Sequence, residues 1–321
     1  MNVADLEARG VRVVHGDQRV AADIDALGTF DWVIEAAAEP SVLAGTAAGV
    51  HTGRRELVDH NLLGTLNLLE AAARWQAGFL MLSTSRVYSI PALSGLPLTE
   101  RLGRGGAVTF SLDANTQLPR GVSPAGICED FSTAAPVSLY GATKLAGEVM
   151  AMEYAHANNT PLVINRCGVM AGGAQFGRAD QGIFSWWIHR WQARKTLSYI
   201  GFGGRGLQVR DCLHPDDLAD LMLQQMDAAH GCEPEIMNVS GGAASGTSLA
   251  ELSHWCTERL GRHAVAASPE TRPYDLPWVV LDHAKATERY DWQPTRDAIS
   301  IFEEIALHAE RHPEWLDRCV G

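Results

Sequence analysis

Short apolar runs alternate with segments of helical periodicity through the first two thirds of the 321-residue chain, and this alternation leaves few possible fold classes. Four runs have the length and composition of buried strands: residues 11–14, 32–37, 79–82 and 162–165. Three segments have the apolar spacing of helices: residues 61–75, 140–157 and 182–194. Because strands without polar alternation are buried on both faces, the pattern predicts an α/β fold with a doubly wound parallel sheet.

Beyond about residue 170 the predicted strands become shorter and more isolated. They lie at residues 197–200, 208–213, 236–239 and 278–281. We therefore expect a Rossmann-like domain over residues 1–170 and a smaller mixed α/β region over residues 171–321, with some of its segments returning to the sheet. In such folds ligands bind at the carboxyl ends of the strands, so we expect the second region to bind the substrate there.

The segment 89–139 is rich in Gly, Pro and Ser and has weak periodicity. Loops longer than ~12–15 residues are usually functional lids or disordered segments. This segment separates two polar motifs described below, which favours a partly ordered lid. Plain disorder is the alternative interpretation.

Acidic residues outnumber basic ones, 38 to 26, and give the chain a net charge of −12. Such a charge repels nucleic acid and anionic membranes, so neither is a predicted partner. A phosphorylated substrate would need a local group of arginines. The sequence shows no signal peptide and no apolar stretch of ~20 residues, which favours a soluble cytoplasmic protein.

The six cysteines are scattered and include no CxxC spacing. Structural zinc sites and disulfide frameworks both depend on regular cysteine spacing, so the pattern argues against each of them. We expect no metal site and a reducing compartment.

Two polar motifs point to acid–base chemistry. The strand at 79–82 runs into Ser83, Thr84 and Ser85, and Tyr140 and Lys144 lie four residues apart, on one face of a predicted helix. An ammonium group beside a phenol lowers the phenol pKa from ~10 towards values suited to a general base. A hydroxyl at a strand end can hold the reacting oxygen of a substrate. Tyr and Lys are ordinary helix residues, so it is the combination of motifs that favours a functional interpretation.

Together these motifs resemble the extended short-chain dehydrogenase/reductase family, specifically its nucleotide-sugar epimerases and dehydratases, over about residues 11–294. The resemblance implies an NAD-dependent enzyme that oxidises a sugar transiently and reduces it from the other face. It implies that Tyr140 is the catalytic base and that Lys144 is its partner and a ribose ligand. Thr84 is then the hydroxyl that binds the reacting sugar oxygen.

The same resemblance implies a set of cofactor contacts. NAD would be bound by Asp17, Ala36, Ala37, Asn61, Tyr140 and Lys144. Asp17 matches the acidic position that contacts adenine. Asn61 matches an asparagine ahead of a helix beside the active site, and its alternative role is to cap that helix.

The implied substrate is a nucleotide diphosphate sugar. Arg210 and Arg272 resemble the two family arginines that bind the diphosphate, which suits the planar, bidentate guanidinium group. Surface ion pairs are the alternative for both. Ser85, Arg86 and Gln181 complete the expected substrate contacts, although the tryptophan-rich helix after Gln181 is more typical of a core.

Segments 80–89, 165–169, 180–182 and 199–204 resemble a narrower group, the CDP-paratose (CDP-tyvelose) 2-epimerases. This implies reaction at C2 of CDP-paratose, with an epimerase or dehydratase of a UDP- or dTDP-sugar as the alternative enzyme. A non-catalytic relative that binds a nucleotide sugar or a partner protein is an alternative of another class. The resemblance also implies a homodimer or higher homo-oligomer, formed through the helices at 61–75 and 140–157.

The chain departs from this family at the pyrophosphate-binding turn. Family members open with a strand and a GxxGxxG turn, which this sequence lacks, and residues 1–17 resemble the third strand with its preceding helix. A literal GxGxxG at 201–206 precedes a predicted strand where a helix is required, so we reject it as a dinucleotide site. Glu35 stands where relatives usually have His, and Glu39 where Gln is common.

We therefore expect the first βαβ unit to be absent, through truncation relative to a functional gene. A degenerate, non-catalytic relative is the alternative. On this expectation the chain by itself binds NAD weakly and is inactive, and restoring about one βαβ unit recovers both properties.

Overall fold

The computed structural model describes residues 3–46, 53–178, 181–228, 233–268 and 270–319. Its helices are α1 (Val3–Ala8), α2 (Ala21–Asp25), α3 (Arg54–Val58), α4 (Gly64–Trp75), α5 (Ile90–Ser94), α6 (Ser138–Asn158), α7 (Ile183–Gln192), α8 (Pro215–Ala228), α9 (Gly242–Ser245), α10 (Leu249–Leu260), α11 (Ala284–Tyr290) and α12 (Ala298–Arg311). Its strands are β1 (Trp32–Glu35), β2 (Gly78–Thr84), β3 (Leu98–Leu102), β4 (Val108–Leu112), β5 (Val122–Ser123), β6 (Gly126–Ile127), β7 (Leu162–Cys167), β8 (Val169–Met170), β9 (Leu197–Tyr199), β10 (Val209–Arg210), β11 (Cys212–Leu213), β12 (Glu235–Val239), β13 (Thr247–Ser248), β14 (Val265–Ala267) and β15 (Trp278–Val279).

The main sheet contains four parallel strands in the order β1-β2-β7-β12. Its register aligns Ile34 with Leu80 and Leu80 with Val163. The strands predicted at 32–37, 79–82 and 162–165 are therefore confirmed. The strand predicted at 236–239 also lies in this sheet, as β12.

Side-chain alternation places helices on both faces of the main sheet. Phe79 and Met81 pack in a cluster with residues of α4 and α6. Leu80 and Leu82 pack on the opposite face, against residues of α8. The prediction of a doubly wound α/β sheet is confirmed, because each central strand is apolar towards two helical layers.

The strand predicted at residues 11–14 is wrong. Residues 11–17 form no regular structure, and Val11 and Val14 are 48% and 50% exposed. A strand depends on a neighbour that pairs with its backbone donors and acceptors, and no strand in the described ranges pairs with this run. Apolar composition alone could not reveal the lack of a partner.

The three predicted helices are confirmed as α4, α6 and α7, with shifted ends. Residues 61–63 belong to a π-helical turn, Asp59–Leu63, that joins α3 to α4 without a break. Helix α6 ends where Asn159 adopts a left-handed conformation at φ 53°. Within the described ranges, no helix has the length and apolar character needed to cross a bilayer.

The segment 89–139 is folded into α5 and two antiparallel hairpins, β3–β4 and β5–β6. Ile127 ties it to the body, because its N–H donates to Val280 O at 2.9 Å and its carbonyl accepts the Asn238 side-chain amide at 2.7 Å. Glu129 adds a bond from the Asn238 backbone N–H to its carboxylate at 2.6 Å. The interpretation as plain disorder is therefore wrong.

In the second region, the strand predicted at 208–213 is divided at Asp211. Strand β10 pairs with β13 and β15, whereas β11 pairs with β8. Between them the Asp211 carboxylate accepts the backbone N–H groups of Leu281 at 2.7 Å and Val169 at 3.3 Å. Burial raises the pKa of Asp211 to about 6. This inward carboxylate ties the chain between β10 and β11 to Val169 and Leu281, and the preceding residue, Arg210, takes part in the site described below.

The aromatic helix α7 forms a core with α10 and α12, as its tryptophan spacing suggested. Trp187 and Trp191 are buried there against Phe302 and neighbouring residues. His189 lies in the same interface and is 4% exposed, with Nε2 3.4 Å from Nδ1 of His308 on α12. Burial lowers the pKa of His189 to about 4, and nearby His308 and His312 act in the same direction.

We expect His189 to make the α7–α12 interface sensitive to acid. The unfolded chain takes up a proton near pH 6.5 and the folded chain only near pH 4, so folding stability falls as the pH drops through this window. The loss should be on the order of 1–3 kcal/mol. Urea unfolding at stepped pH should show a flatter profile for His189→Gln than for wild type, whereas the exposed-site control His156→Gln should follow wild type. Identical profiles for His189→Gln and wild type would contradict this assignment.

Candidate active site

A cavity of about 310 Å³ opens at the carboxyl ends of β2 and β7. It brings together two of the three predicted catalytic residues and all five predicted substrate residues. These are Thr84, Ser85, Arg86, Tyr140, Gln181, Arg210 and Arg272. Residue 180, in the motif 180–182, lies outside the described residues. The position at the strand ends agrees with the edge expected from the sequence.

Thr84 and Tyr140 meet where β2 ends and α6 begins. Thr84 is the last residue of β2, and its hydroxyl oxygen accepts the Arg86 backbone N–H at 3.1 Å. Tyr140 lines the same cavity, and the Thr84 side chain acts to lower the pKa of Tyr140. Gly141 permits the close approach, because a Cβ there would lie 2.2 Å from the Arg86 carbonyl oxygen. The contact therefore depends on both the strand end and the small residue after Tyr140.

The Tyr140 phenol is 8% exposed, and opposing influences act on its acidity. Burial raises the pKa of Tyr140 above its ordinary value. The Thr84 hydroxyl and the charge of Arg86 act against this rise because both favour the phenolate. The base therefore needs nearby positive charge to ionise.

Lys144 lies one turn after Tyr140 on the same face of α6, as predicted, but it is 2% exposed and does not line the cavity. Its Nζ lies 3.8 Å from Oε2 of Glu35, which ends β1. The largest charge that favours a Tyr140 phenolate comes from Arg86 instead. The sequence predicted the face that Lys144 occupies but not its acidic neighbour.

Three arginines gather positive charge on one side of the cavity. Arg86, Arg210 and Arg272 face it together with Asp275, whose Oδ1 lies 3.4 Å from NH2 of Arg210. Arg86 also donates to the Tyr274 carbonyl at 3.2 Å. Burial, together with the like charges of the other two arginines, lowers the pKa of Arg86 to about 10. Three guanidinium groups that face one cavity favour the binding of an anion.

The cavity wall also carries acceptors that sequence reasoning missed. The amides of Gln175 and Gln208 donate to the backbone carbonyls of Met170 at 2.7 Å and Ile200 at 3.1 Å. Their Oε1 atoms, and Oδ2 of Asp275, are buried with no hydrogen-bond partner among the described residues. Such acceptors suit hydroxyl or amino groups of a ligand. Gln208 and Asp275 adjoin the predicted arginines, which is the signal that could have identified them.

Asn61 lies outside this cavity. It is 1% exposed, and its amide donates to the Glu39 carbonyl at 3.1 Å and to the Thr143 hydroxyl at 3.2 Å. Its Oδ1 accepts the Glu39 backbone N–H at 2.7 Å. Asn61 therefore ties the loop after β1 to α6. Because it lies within the π-helical turn, the alternative role as a helix cap is wrong.

The other predicted cofactor residues are also separate from the cavity. The Asp17 carboxylate forms a bidentate pair with Arg19, at 2.6 and 2.9 Å, and these hydrogen bonds lower the pKa of Asp17 to about 2. Ala36 and Ala37 are exposed after β1. Of the residues assigned to NAD, Tyr140 lines the cavity, whereas Asn61 and Lys144 are buried against protein groups.

A dinucleotide also needs a cradle for its pyrophosphate, normally a glycine-rich turn at a helix N-terminus. The glycines at 201–206 form a 3₁₀ turn, Phe202–Gly204, that leads into β10, so their rejection as such a cradle agrees with the structure. No GxxGxxG turn joins a main-sheet strand to a helix in the part of the chain that the structure describes. The described residues therefore do not fit the pyrophosphate of NAD.

A family model described as the NAD dependent epimerase/dehydratase family matches residues 2–240. Among curated proteins, the chain is similar to CDP-paratose 2-epimerase of Salmonella typhi. The two are 28% identical over 240 residues, and the matched part covers 73% of this chain and 66% of that protein. It is 27% identical over 251 residues to UDP-glucuronate 4-epimerase of Thermodesulfobacterium geofontis, covering 77% and 63%. The matches thus span slightly less than two thirds of these relatives.

Solved structures share the fold. UDP-glucuronic acid 4-epimerase from Bacillus cereus, in complex with UDP-glucuronic acid and NAD, gives a TM-score of 0.70 at 21% identity, covering 96% of this chain and 85% of that one. An epimerase from Methanothermobacter thermautotrophicus gives a TM-score of 0.75 at 16% identity, covering 96% and 81%. At these identities the likeness shows the fold alone, and it confirms the Rossmann-like prediction.

We expect this chain to bind NAD weakly, because the described residues offer the pyrophosphate no amide cradle. Each missing charge-assisted hydrogen bond removes ~1.5–3 kcal/mol of binding free energy. Isothermal titration of NAD into the protein tests this, with CDP and UDP as positive controls for a folded pocket. Tight, stoichiometric NAD binding would show that the pyrophosphate is held by groups not identified here.

Proposed function

The chain belongs to the NAD dependent epimerase/dehydratase family, and we propose that it carries the acid–base pair and the substrate pocket of a nucleotide-sugar epimerase. One observation carries the proposal. The Thr84 and Tyr140 side chains lie on the wall of the same cavity as Arg86, Arg210 and Arg272. A hydroxyl–phenol pair beside an anion-binding pocket suits a sugar attached to phosphate.

The arginines support a diphosphate as the anchor of the substrate. Guanidinium groups bind phosphate oxygens through paired, charge-assisted hydrogen bonds. The three guanidinium groups face the same cavity, where the two phosphates of a nucleotide sugar would meet them. An anion would also act against the burial and the like charges that lower the pKa of Arg86 to about 10.

The sugar would then lie towards Thr84 and Tyr140. In the proposed reaction, Thr84 positions a sugar hydroxyl and the Tyr140 phenolate removes its proton. The positive charge of Arg86 offsets the burial that opposes phenolate formation. When bound, NAD would supply the acceptor for the hydride that leaves the sugar carbon. Gln181, whose amide donates to the Pro40 carbonyl at 2.7 Å, closes the wall of the cavity between the loop after β1 and α7.

For the sugar itself we propose CDP-paratose or a close analogue. The resemblance of segments 80–89 and 199–204 supports CDP-paratose, and so does the match to the CDP-paratose 2-epimerase of Salmonella typhi. The matches to UDP-glucuronate and UDP-glucose 4-epimerases keep UDP-sugars as the alternative. We also propose a cytoplasmic homodimer formed through α4 and α6, which is consistent with the 56% exposure of Val149 on α6.

Replacement of either diphosphate arginine should weaken nucleotide binding. Arg210→Ala and Arg272→Ala should each reduce the binding free energy of CDP or UDP by roughly 1–3 kcal/mol, because a charge-assisted contact is lost. Isothermal titration measures the change, and comparison of the two nucleotides tests the choice of base. The matched control is Arg120→Ala, since Arg120 is 84% exposed and outside the cavity. Unchanged affinity for CDP and UDP in both cavity variants would contradict this role and would favour the alternative that these arginines form structural ion pairs.

Removal of the Tyr140 hydroxyl should remove turnover. In a chain to which the expected first βαβ unit is restored, and with NAD in excess, Tyr140→Phe should epimerise nucleotide sugars ~10²–10⁴ times more slowly than the same chain with Tyr140, as expected for a lost general base. Product formation from CDP-, UDP- and dTDP-sugars can be followed by NMR, with circular dichroism as the check on folding. Equal rates in wild type and Tyr140→Phe would contradict the proposed base. Tight nucleotide-sugar binding without turnover by wild type would support the non-catalytic alternative instead.

A further inference from the structure

Glu35 is a buried acid to which the proposed reaction gives no role. Its side chain is fully buried at the end of β1. The groups that face it are Thr65 from α4, Lys144 and Tyr140 from α6, and the apolar Met81 from β2. Glu35 Oε2 has no hydrogen-bond partner among the described residues and lies 3.8 Å from Lys144 Nζ. The site therefore contains a carboxyl group that is incompletely satisfied as a carboxylate.

Counting protons at Thr65 indicates the state of this carboxyl group. The Thr65 hydroxyl is within hydrogen-bond distance of two oxygens, Oε1 of Glu35 and, at 2.6 Å, the Asn61 carbonyl. A threonine hydroxyl has one proton, and a carbonyl has none to give. Both hydrogen bonds can form together if Thr65 donates to Asn61 and Glu35 donates to Thr65. Two full, two-centre hydrogen bonds therefore require a proton on Glu35, whereas an ionised Glu35 would have to share the single Thr65 proton with the Asn61 carbonyl.

We propose that Glu35 is held as a neutral carboxylic acid and that its proton leaves the charge of Lys144 free to act on Tyr140. The electrostatics agree with this state. Burial raises the pKa of Glu35, against the opposing charge of Lys144. Ionised Glu35 would compensate Lys144 and would itself raise the pKa of Tyr140. Glu35 is thus a positioning residue that acts through Lys144, and this consequence rests on the proposed role of Tyr140 as the base.

The sign of the pH dependence follows from the direction of this shift. Below pH 4.5 both the unfolded and the folded chain keep the Glu35 proton. Above that pH the unfolded chain releases the proton first, so wild-type stability falls until the folded pKa is reached. Glu35→Gln keeps a neutral donor to Thr65 and has no proton to release. Relative to this variant, the folding equilibrium constant of wild type should fall about tenfold per pH unit within the window.

Two measurements on the protein without substrate test the proposal. Infrared spectroscopy of wild type at neutral pH should show a protonated carboxylic acid band that is missing in Glu35→Gln and kept in the matched control Glu39→Gln. Urea unfolding at stepped pH should give the tenfold divergence for Glu35→Gln and none for Glu39→Gln. If Glu35→Gln does not fold, the pH titration of the wild-type infrared band still decides the protonation state.

A Glu35 that is ionised at neutral pH, with no pH-dependent divergence in stability, would overturn the proposal. These readouts do not depend on turnover, so they separate it from a failure of the proposed function. In the enzyme supplied with NAD, wild-type turnover should decline at alkaline pH as Glu35 ionises, and Glu35→Gln should retain turnover there. A matching alkaline decline in Glu35→Gln would contradict the link to Tyr140 even if the infrared band is present.

Discussion

The buried ion pair between Glu148 and Arg166 determines where the acid–base residues lie. Arg166 on β7 meets Glu148 on α6 at 2.6 Å, and the Ser83 hydroxyl of β2 donates to the same carboxylate at 2.5 Å. Tyr140 and Lys144 lie on the same helical face as Glu148, at spacings of four residues. Anchoring Glu148 beside Ser83 therefore fixes this face of α6 against the end of β2, and Tyr140 and Thr84 line the same cavity there. Loss of one partner of a buried ion pair costs ~3–5 kcal/mol, so this register is strongly fixed.

The second region contributes charge to this framework rather than further acid–base groups. Strand β10 presents Arg210 to the cavity, while the adjacent Asp211 points inward and accepts the backbone N–H groups of Leu281 and Val169. Two consecutive residues thus place a cation at the cavity and a structural carboxylate in the interior. In the proposed substrate complex, the ends of β2 and α6 would hold the sugar, and the second region would hold the phosphates.

Sequence patterns predicted elements wherever burial was sufficient to define them. The uninterrupted apolar runs at 79–82 and 162–165 became central strands because both of their faces are covered by helices. The run at 11–14 has similar composition but no paired neighbour in the described ranges, so it forms no strand. The division of 208–213 was equally hidden, since it depends on contacts of Asp211 with residues distant in the chain. The periodicity of apolar residues indicates which segments are buried, but it does not indicate which other segments they contact.

The same limit applies to the site. Spacing within one helix predicted that Tyr140 and Lys144 share a face, but the acid beside Lys144 comes from β1 and could be found only after folding. The sequence showed Glu35 as a departure from the family pattern, but it could not show whether the carboxyl group of Glu35 is protonated. In this structure the strongest cationic influence on Tyr140 comes from Arg86, which also faces the proposed phosphates. A bound phosphate would partly neutralise the charge of Arg86. In the proposal, a neutral Glu35 therefore matters most when substrate is present, because Lys144 then remains as the cation that favours the Tyr140 phenolate.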